Sequence, residues 1–328
     1  MIGKKREFPL KILFKHAAIR RLPPNHKKVS MIEVELAQDH SGYKGEKLLD
    51  YYLRTFHGPD IRIYNDLRFD DGDPFQMDSF ILTPYFSFII DSKNIDGETS
   101  IDTLFQQSIQ KNTYGEQRRL SNPITQIKRH TFLMMEWFQK HGYYSIPIEA
   151  VVANCNPAGI LKADSNNPLI AQKILNVELI PNRIEELRKK YTKKMLNESD
   201  LAALHKFILS EHTPPTYDLE KLYGISPNEI LKGVQCPKCQ FLGMKRLNRF
   251  WLCPKCGEKS TSAHEQAIFD YFLLIKTTMT VAECCEFLGI DSRHVAKRLL
   301  QSMKLRATGK TRGRIYHSPW SKAQTKII

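Results

Sequence analysis

No run of apolar residues approaches the roughly 18 that a membrane-spanning helix needs, so helical integral membrane classes are excluded. The first stretch, MIGKKREFPLKILFKHAAIRRLPPNHKK, is basic, but it lacks an apolar core followed by a small-residue cleavage site. The expectation is a chain without a secretory signal, cytoplasmic by default and without a membrane partner. Cysteine is scarce and its count is odd, 7 in 328 residues, which argues against a disulfide framework. Internal repeats and low-complexity tracts are lacking too. What remains is a globular composition, 41% hydrophobic and 10% aromatic, on a chain long enough for about two or three domains.

Acidic residues are in deficit, 35 against 49 Lys and Arg, for a net charge of +14. The excess is uneven. Residues 233–328 hold 17 Lys and Arg against 6 Asp and Glu, so +11 of the +14 lies there. A concentrated excess of this kind is the electrostatic footprint of a polyanion partner, most often nucleic acid, although charge alone also fits a solvated basic surface.

Apolar periodicity orders the chain. Residues 1–30 read as a basic lead-in broken by LPPN. From Met31 to about Phe56 the spacing becomes helical around a glycine-bearing HSGYKGE. DIRIYNDLRF, FQMDSFILTP and YFSFIID read as three strands, followed by a polar stretch. NPITQIKRHTFLMMEWFQKHG reads as a helix with Pro123 in its first turn and Gly142 past its end. IPIEAVVAN and KILNVELIP suit strands; NRIEELRKKYTKKML and ESDLAALHKFILS suit helices; EHTPPTY closes the region. The expected fold class is mixed α/β, a sheet flanked by helices, over residues 31–215, with a linker at 216–232.

Within this region, FQMDSFILTPYFSFIIDSKNIDGE carries Asp78, Asp91 and Lys93 among core-forming residues. Charges removed from water cost several kcal/mol unless paired or bound to a metal. Asp91 and Lys93 are two apart in a strand and share a face. If Thr83–Phe86 is the turn, Leu82 pairs with Ser87, and counting back sets Asp78 opposite Asp91. Facing carboxylates repel, and a divalent cation between them, Mg²⁺ or Mn²⁺, would reverse the sign. Lys93 would then stand beside the metal, placed to orient a water or to stabilise negative charge developing on a phosphate. Taken alone, Asp-x-Lys is weak evidence and more often marks a surface ion pair at a strand end.

Four motifs in order widen the case: GYKGE (Gly42–Glu46), QMD (Gln76–Asp78), DSKN (Asp91–Asn94) and NPITQIKRH (Asn122–His130). Together they resemble the nuclease-related (NERD) domain of the PD-(D/E)XK nuclease superfamily, over roughly residues 35–155. The resemblance implies a metal-dependent nuclease in which Asp78 and Asp91 bind the ion and Lys93 is the catalytic lysine. It further implies that Glu46 assists the metal or its water and that Gln126 contacts metal-bound water or the nucleic-acid backbone. Asp91 stands where most members carry Glu. His130, four residues after Gln126, suits a supporting role.

The cysteines Cys236, Cys239, Cys253 and Cys256 form two C-P-x-C knuckles separated by 13 residues, the spacing of a closed Cys₄ structural zinc site on a ribbon, residues 233–260. Cys155, Cys284 and Cys285 read as small core residues. Between the knuckles, Lys245, Arg246, Arg249 and Trp251 interleave cations and an aromatic, a pattern for nucleic acid, or else for a hydrophobic Phe250-Trp251 core. Residues 261–328 read as a helix-turn-helix-like basic domain with a wing-like hairpin. Arg293, His294, Lys297 and Arg298 lie early on its second helix, and Arg312 and Arg314 lie in the hairpin.

The combined expectation is a Mg²⁺- or Mn²⁺-dependent nuclease held on nucleic acid, preferentially DNA, by a zinc ribbon and a helix-turn-helix. A non-catalytic DNA-binding protein that uses the nuclease fold as scaffold is the alternative, and a protein-interaction adaptor the third reading. Strandedness, cleavage mode and oligomeric state are left open.

Overall fold

A computed structural model describes residues 1–56, 58–102, 105, 107–112, 114–163 and 168–320. The chain divides into two compact units, Met1–Phe8 with Gln38–Thr213, and Pro9–Ala37 with Pro214–Ile328. β1 (Ile2–Lys4), α1 (Leu10–Arg21) and α2 (Val29–Leu53) open it.

In the first unit, β2 (Arg62–Phe69), β3 (Phe75–Leu82) and β4 (Ser87–Lys93) form an antiparallel meander. After β5 (Glu98–Asp102), β6 (Gln107–Lys111) and β7 (Gln117–Leu120) come α3 (Pro123–Lys140), β8 (Ile148–Asn154) and β9 (Ile160–Ala163). Then follow α4 (Pro168–Lys173), β10 (Ile174–Asn176), α5 (Ile180–Lys190) and α6 (Glu198–Glu211). The main sheet has the order β1-β2-β3-β4-β8-β10, with β8 parallel to β4 and β10 parallel to β8. Such a sheet is covered on both faces. Ile63, Ile81, Phe88, Ile90 and Val151 pack with Leu49 and Leu53 of α2 and with Ile184 and Leu187 of α5. Tyr64, Phe80, Leu82, Ile89 and Val152 pack with Ile127, Met134 and Phe138 of α3 and with Leu201, Leu204 and Ile208 of α6. The α/β class expected from the sequence is the one observed.

The polar stretch after β4 is itself a sheet, of order β7-β6-β5-β9. Its strands escaped the sequence reading because they bury polar side chains, Thr99, Ser108 and Gln110, beside Ile101, so the apolar alternation is missing. The two glycines in HSGYKGE leave α2 unbroken. Gly45 is needed for proximity: a Cβ there would lie 3.1 Å from Cys155 Cβ and 3.5 Å from Asn94 Cβ. Asn94 reinforces that approach, donating to the Ser41 carbonyl at 3.1 Å and to Ser41 Oγ at 2.6 Å.

The second unit holds α7 (Leu219–Tyr223), β11 (Lys245–Leu247), β12 (Phe250–Leu252), β13 (Lys259–Ser260) and α8 (Ala263–Leu274). It continues with β14 (Thr278–Thr280), α9 (Val281–Leu288), α10 (Arg293–Ser302), β15 (Ala307–Thr308) and β16 (Ile315–His317). α1 belongs to this core through Phe14, Ala17 and Ala18. The structure differs from the expectation of a separate lead-in over residues 1–30. β1 is an edge strand of the main sheet, and α1 is a core helix. Two of its basic residues share one buried acid: Arg20 and Arg21 bond Asp270 of α8 at 2.7 and 2.8 Å, while Lys15 pairs with Glu35 at 2.9 Å. Arg21 and Asp270 are each 1% exposed, so the pair screens the cost of burying either.

Candidate active site and nucleic-acid interface

The turn Thr83–Phe86 is closed by Thr83, whose amide donates to the Phe86 carbonyl at 3.0 Å and whose Oγ1 accepts from the Phe86 amide at 3.0 Å. Leu82 therefore pairs with Ser87, the register read from the sequence. Regular pairing ends at Ser79 with Ile90, one step short of Asp78 with Asp91. The cause is an interruption in both β2 and β3. Met77 and Phe80 face the same core although three residues apart, as do Tyr64 and Leu67, and Asp66 adopts φ 50°. Strict alternation is lost at these places, as in a bulge. Asp78 does not stand squarely opposite Asp91. Its Oδ2 instead accepts from the amide and hydroxyl of Ser92, at 2.8 and 2.9 Å.

Asp91 and Lys93 keep to the α3 face. Lys93 Nζ donates to Gln126 Oε1 at 2.8 Å, and His130 Nδ1 lies 2.9 Å from Asp91 Oδ2. The spacings match for a geometric reason: two strand residues advance about 6.6 Å and four helix residues about 6.0 Å, so Asp-x-Lys and Gln-x-x-x-His align as two rungs. His130, read from sequence as a supporting residue, is thus a direct neighbour of Asp91, and its spacing from Gln126 was the visible signal.

Asp91 is 1% exposed. Although His130 is near, its direction is poor for a hydrogen bond, and both Asp91 oxygens and His130 Nδ1 are buried without an aligned partner among the described residues. Burial raises the proton affinity of Asp91 above the usual carboxylate range; His130 opposes this and the charge of Asp78 adds to it. A buried carboxylate with unused lone pairs beside a second carboxylate fits a hard divalent cation.

Glu46 is engaged elsewhere. Arg6, with a side chain only 3% exposed, bonds Glu46 at 3.0 Å, Asp50 at 2.9 and 3.0 Å, Asp66 at 2.7 Å and the Asp78 carbonyl at 2.9 Å. Burial alone would lower the pKa of this guanidinium; its hydrogen bonds and the three acids override that and raise it. The sequence reading passed over Arg6 because it lies in a run of ordinary basic residues, 40 positions from Glu46. Arg6→Ala leaves three carboxylates facing one another, and the expected cost is about 3–5 kcal/mol. Thermal unfolding should show it as a fall in Tm of the order of 10 °C; an unchanged Tm would remove Arg6 from this role.

Cys155, behind Gly45, has its thiol pushed up to about 12 by burial, with the charge of Asp78 adding, and Cys284 is pushed up to about 12 by burial as well. Neither has the character of a nucleophile.

In the second unit the four cysteines gather their sulfurs within 4.8 Å. Cys236 to Cys256 is 3.7 Å and Cys239 to Cys253 is 3.6 Å. A tetrahedron of Zn–S bonds near 2.3 Å has an edge of about 3.8 Å, so the cluster has the dimensions of such a site and could bind zinc. Both knuckles repeat one backbone design. The Cys236 and Cys253 carbonyls accept from Gln240 and Gly257, at 3.0 and 2.9 Å, and these two residues share positive φ, 58° and 73°.

Trp251 is fully buried in the core of this unit. Its indole N–H donates to His264 Nδ1 at 3.3 Å, and the Arg246 guanidinium covers its ring at 5.4 Å. Stacking on bases, one of the two roles expected for it, needs an exposed ring; this one is part of the core, the other expected role. Burial, then the charge of Arg246, push His264 down to about 4, so its imidazole is neutral. Lys245, Arg249, Arg293, His294, Lys297 and Arg298 are exposed, and Arg246 and Arg314 are half-buried. The Arg312 side chain lies outside the described residues. Arg246 is close enough to Arg298 to feel its charge, and Arg246 Nε and Nη1 have no partner among the described residues. α9 begins on a reciprocal Thr280–Glu283 cap and ends at Gly289 in the left-handed conformation; Ser292 caps α10. The sheet β14-β16-β15 follows.

No helix among the described residues is long and apolar enough to cross a membrane. Residues 41–155 match the family model of the nuclease-related domain, NERD. The match takes in Glu46, Asp78, Asp91, Lys93, Gln126 and His130 and leaves out Arg6 and the cysteine cluster. No curated protein and no solved structure matches the chain.

Proposed function

We propose, on the premise that residues 41–155 are a nuclease-related domain, that the protein is a divalent-metal-dependent nuclease acting on nucleic acid, with DNA the substrate to test first. The observation that carries this reading is the buried Asp91 carboxylate, with no aligned partner, one rung from the Lys93–Gln126 pair. Asp78 and Asp91 would hold Mg²⁺ or Mn²⁺, which supplies charge stabilisation on the scissile phosphate and a more acidic attacking water. Lys93 sets an ammonium beside the developing negative charge, and Gln126 holds that ammonium in position. Ser92 orients the Asp78 carboxylate. Glu46 acts through Arg6, which fixes the Asp78 main chain.

The second unit supplies affinity. We take the cysteine cluster as a structural zinc ribbon, and α9 and α10 with the following sheet as a winged helix-turn-helix. Lys245, Arg249, Arg293, His294, Lys297 and Arg298 are its exposed phosphate-binding residues, joined by half-buried Arg246 and Arg314.

The decisive experiment is a cleavage assay on single- and double-stranded DNA and RNA, with and without Mg²⁺. Lys93→Ala should reduce cleavage by about 10²–10³-fold or more with the fold intact. Equal cleavage by highly purified wild type and variant would sink the assignment and leave the non-catalytic DNA-binding reading standing.

A further inference from the structure

A cleft of about 210 Å³ lies within the first unit, between α2, β1 and β2. Buried Leu53 and Ile63 give it an apolar floor. Lys5, Lys47 and Arg54 line it and are exposed, and none forms an ion pair with a described acid. Asp50, the one acidic wall residue among the described residues, is spent on Arg6, which grips it through two hydrogen bonds of 2.9 and 3.0 Å. Three exposed cations therefore line one concavity, Arg54 also lying over the Tyr51 ring at 4.6 Å, with no carboxylate among the described residues paired to them.

The size and charge select a ligand. The volume is small beside the several hundred Å³ of a site for a drug-sized molecule, and it suits one phosphate with its sugar rather than a length of backbone. A terminal phosphate monoester carries about −1.5 to −2 at neutral pH, against −1 for an internal diester, so three cations favour the end of a strand over its interior. Arg6 joins the cleft to the other site. It lines the cleft and also donates to the Asp78 carbonyl at 2.9 Å, so a group bound here is one arginine away from the strand that carries Asp78.

We propose that this cleft binds the phosphorylated terminus of a nucleic-acid strand and directs cleavage to strand ends. The second half of that statement rests on the nuclease reading above; the binding itself does not.

The test uses the full chain carrying Asp91→Asn, without added divalent metal, so that no cleavage is required. Fluorescence anisotropy compares one oligonucleotide with a 5′-phosphate, a 3′-phosphate or neither. A phosphate at one end should tighten binding about ten-fold. Adding Lys47→Glu and Arg54→Glu should erase that gain and leave the affinity for the unphosphorylated strand unchanged. Equal affinity for all three strands overturns the proposal, and so does an equal loss for all three in the charge-reversed protein. A free mononucleotide that competes as well as the phosphorylated strand assigns the cleft to nucleotides and overturns end recognition. Absence of cleavage by wild type would defeat the nuclease reading without altering these affinities.

Discussion

Replacing Asp91 by asparagine is expected to abolish cleavage while making the metal-free protein more stable. The two effects have one cause. Asp91 is 1% exposed and neither of its oxygens has an aligned partner, so without a cation the folded chain buries a charge that water solvates in the unfolded chain. Asparagine keeps the shape and removes the charge. A gain of about 1–3 kcal/mol is expected, the cost of one unsatisfied buried polar group. It should appear as a higher midpoint in denaturant without a change in slope. Mg²⁺ or Mn²⁺ should raise the Tm of wild type and leave that of Asp91→Asn where it was, because a cation bound only by the folded state adds its binding free energy. Cleavage should fall by about three orders of magnitude or more. An Asp91→Asn protein that is less stable without metal, and that responds to Mg²⁺ like wild type, would mean that His130 alone satisfies Asp91 and that no ion belongs there.

The second large effect is expected at the cysteine cluster. Freshly purified protein should contain one zinc per chain, and Cys253→Ser or a strong chelator should unfold the second unit. Structural zinc in small domains contributes about 10–16 kcal/mol of apparent folding free energy. The sulfurs here are not a surface appendage. Cys236 and Cys253 are each 1% exposed and share a core with Trp251, α1, α8, α9 and α10. Loss of the ion leaves up to four thiolates repelling within 4.8 Å and opens both knuckles, which frees Trp251 from His264 and Arg246. A red shift of tryptophan emission and loss of salt-sensitive nucleic-acid binding should accompany release of the metal. Purified protein without zinc, folded and binding nucleic acid normally, would overturn both the metal and its structural role.

What is legible in consecutive residues and what is not divide along the range of the forces involved. Periodicity, turn chemistry and motif spacing act over a few residues. The sequence alone therefore determined the β3–β4 register, the Pro123 start and Gly142 stop of α3, the Gly289 turn before α10 and the C-P-x-C spacing. It also contained Asp-x-Lys and Gln-x-x-x-His, whose matched pitch needed only strand and helix geometry to interpret. Decisions that depend on which distant group fills a given space were left to the tertiary structure. Arg6 could not be distinguished from its basic neighbours until Glu46, Asp50 and Asp66 closed around it. Trp251 has the same local context whether it faces solvent or a core; the packing of α1 and α8–α10 decided for the core. Asp78 lost its place opposite Asp91 because β2 and β3 break alternation together, a property of the pair that neither strand carries alone. Burial and charge pairing are sums over the whole folded chain, whereas hydrophobic spacing is local, and only the local quantity is written in consecutive residues.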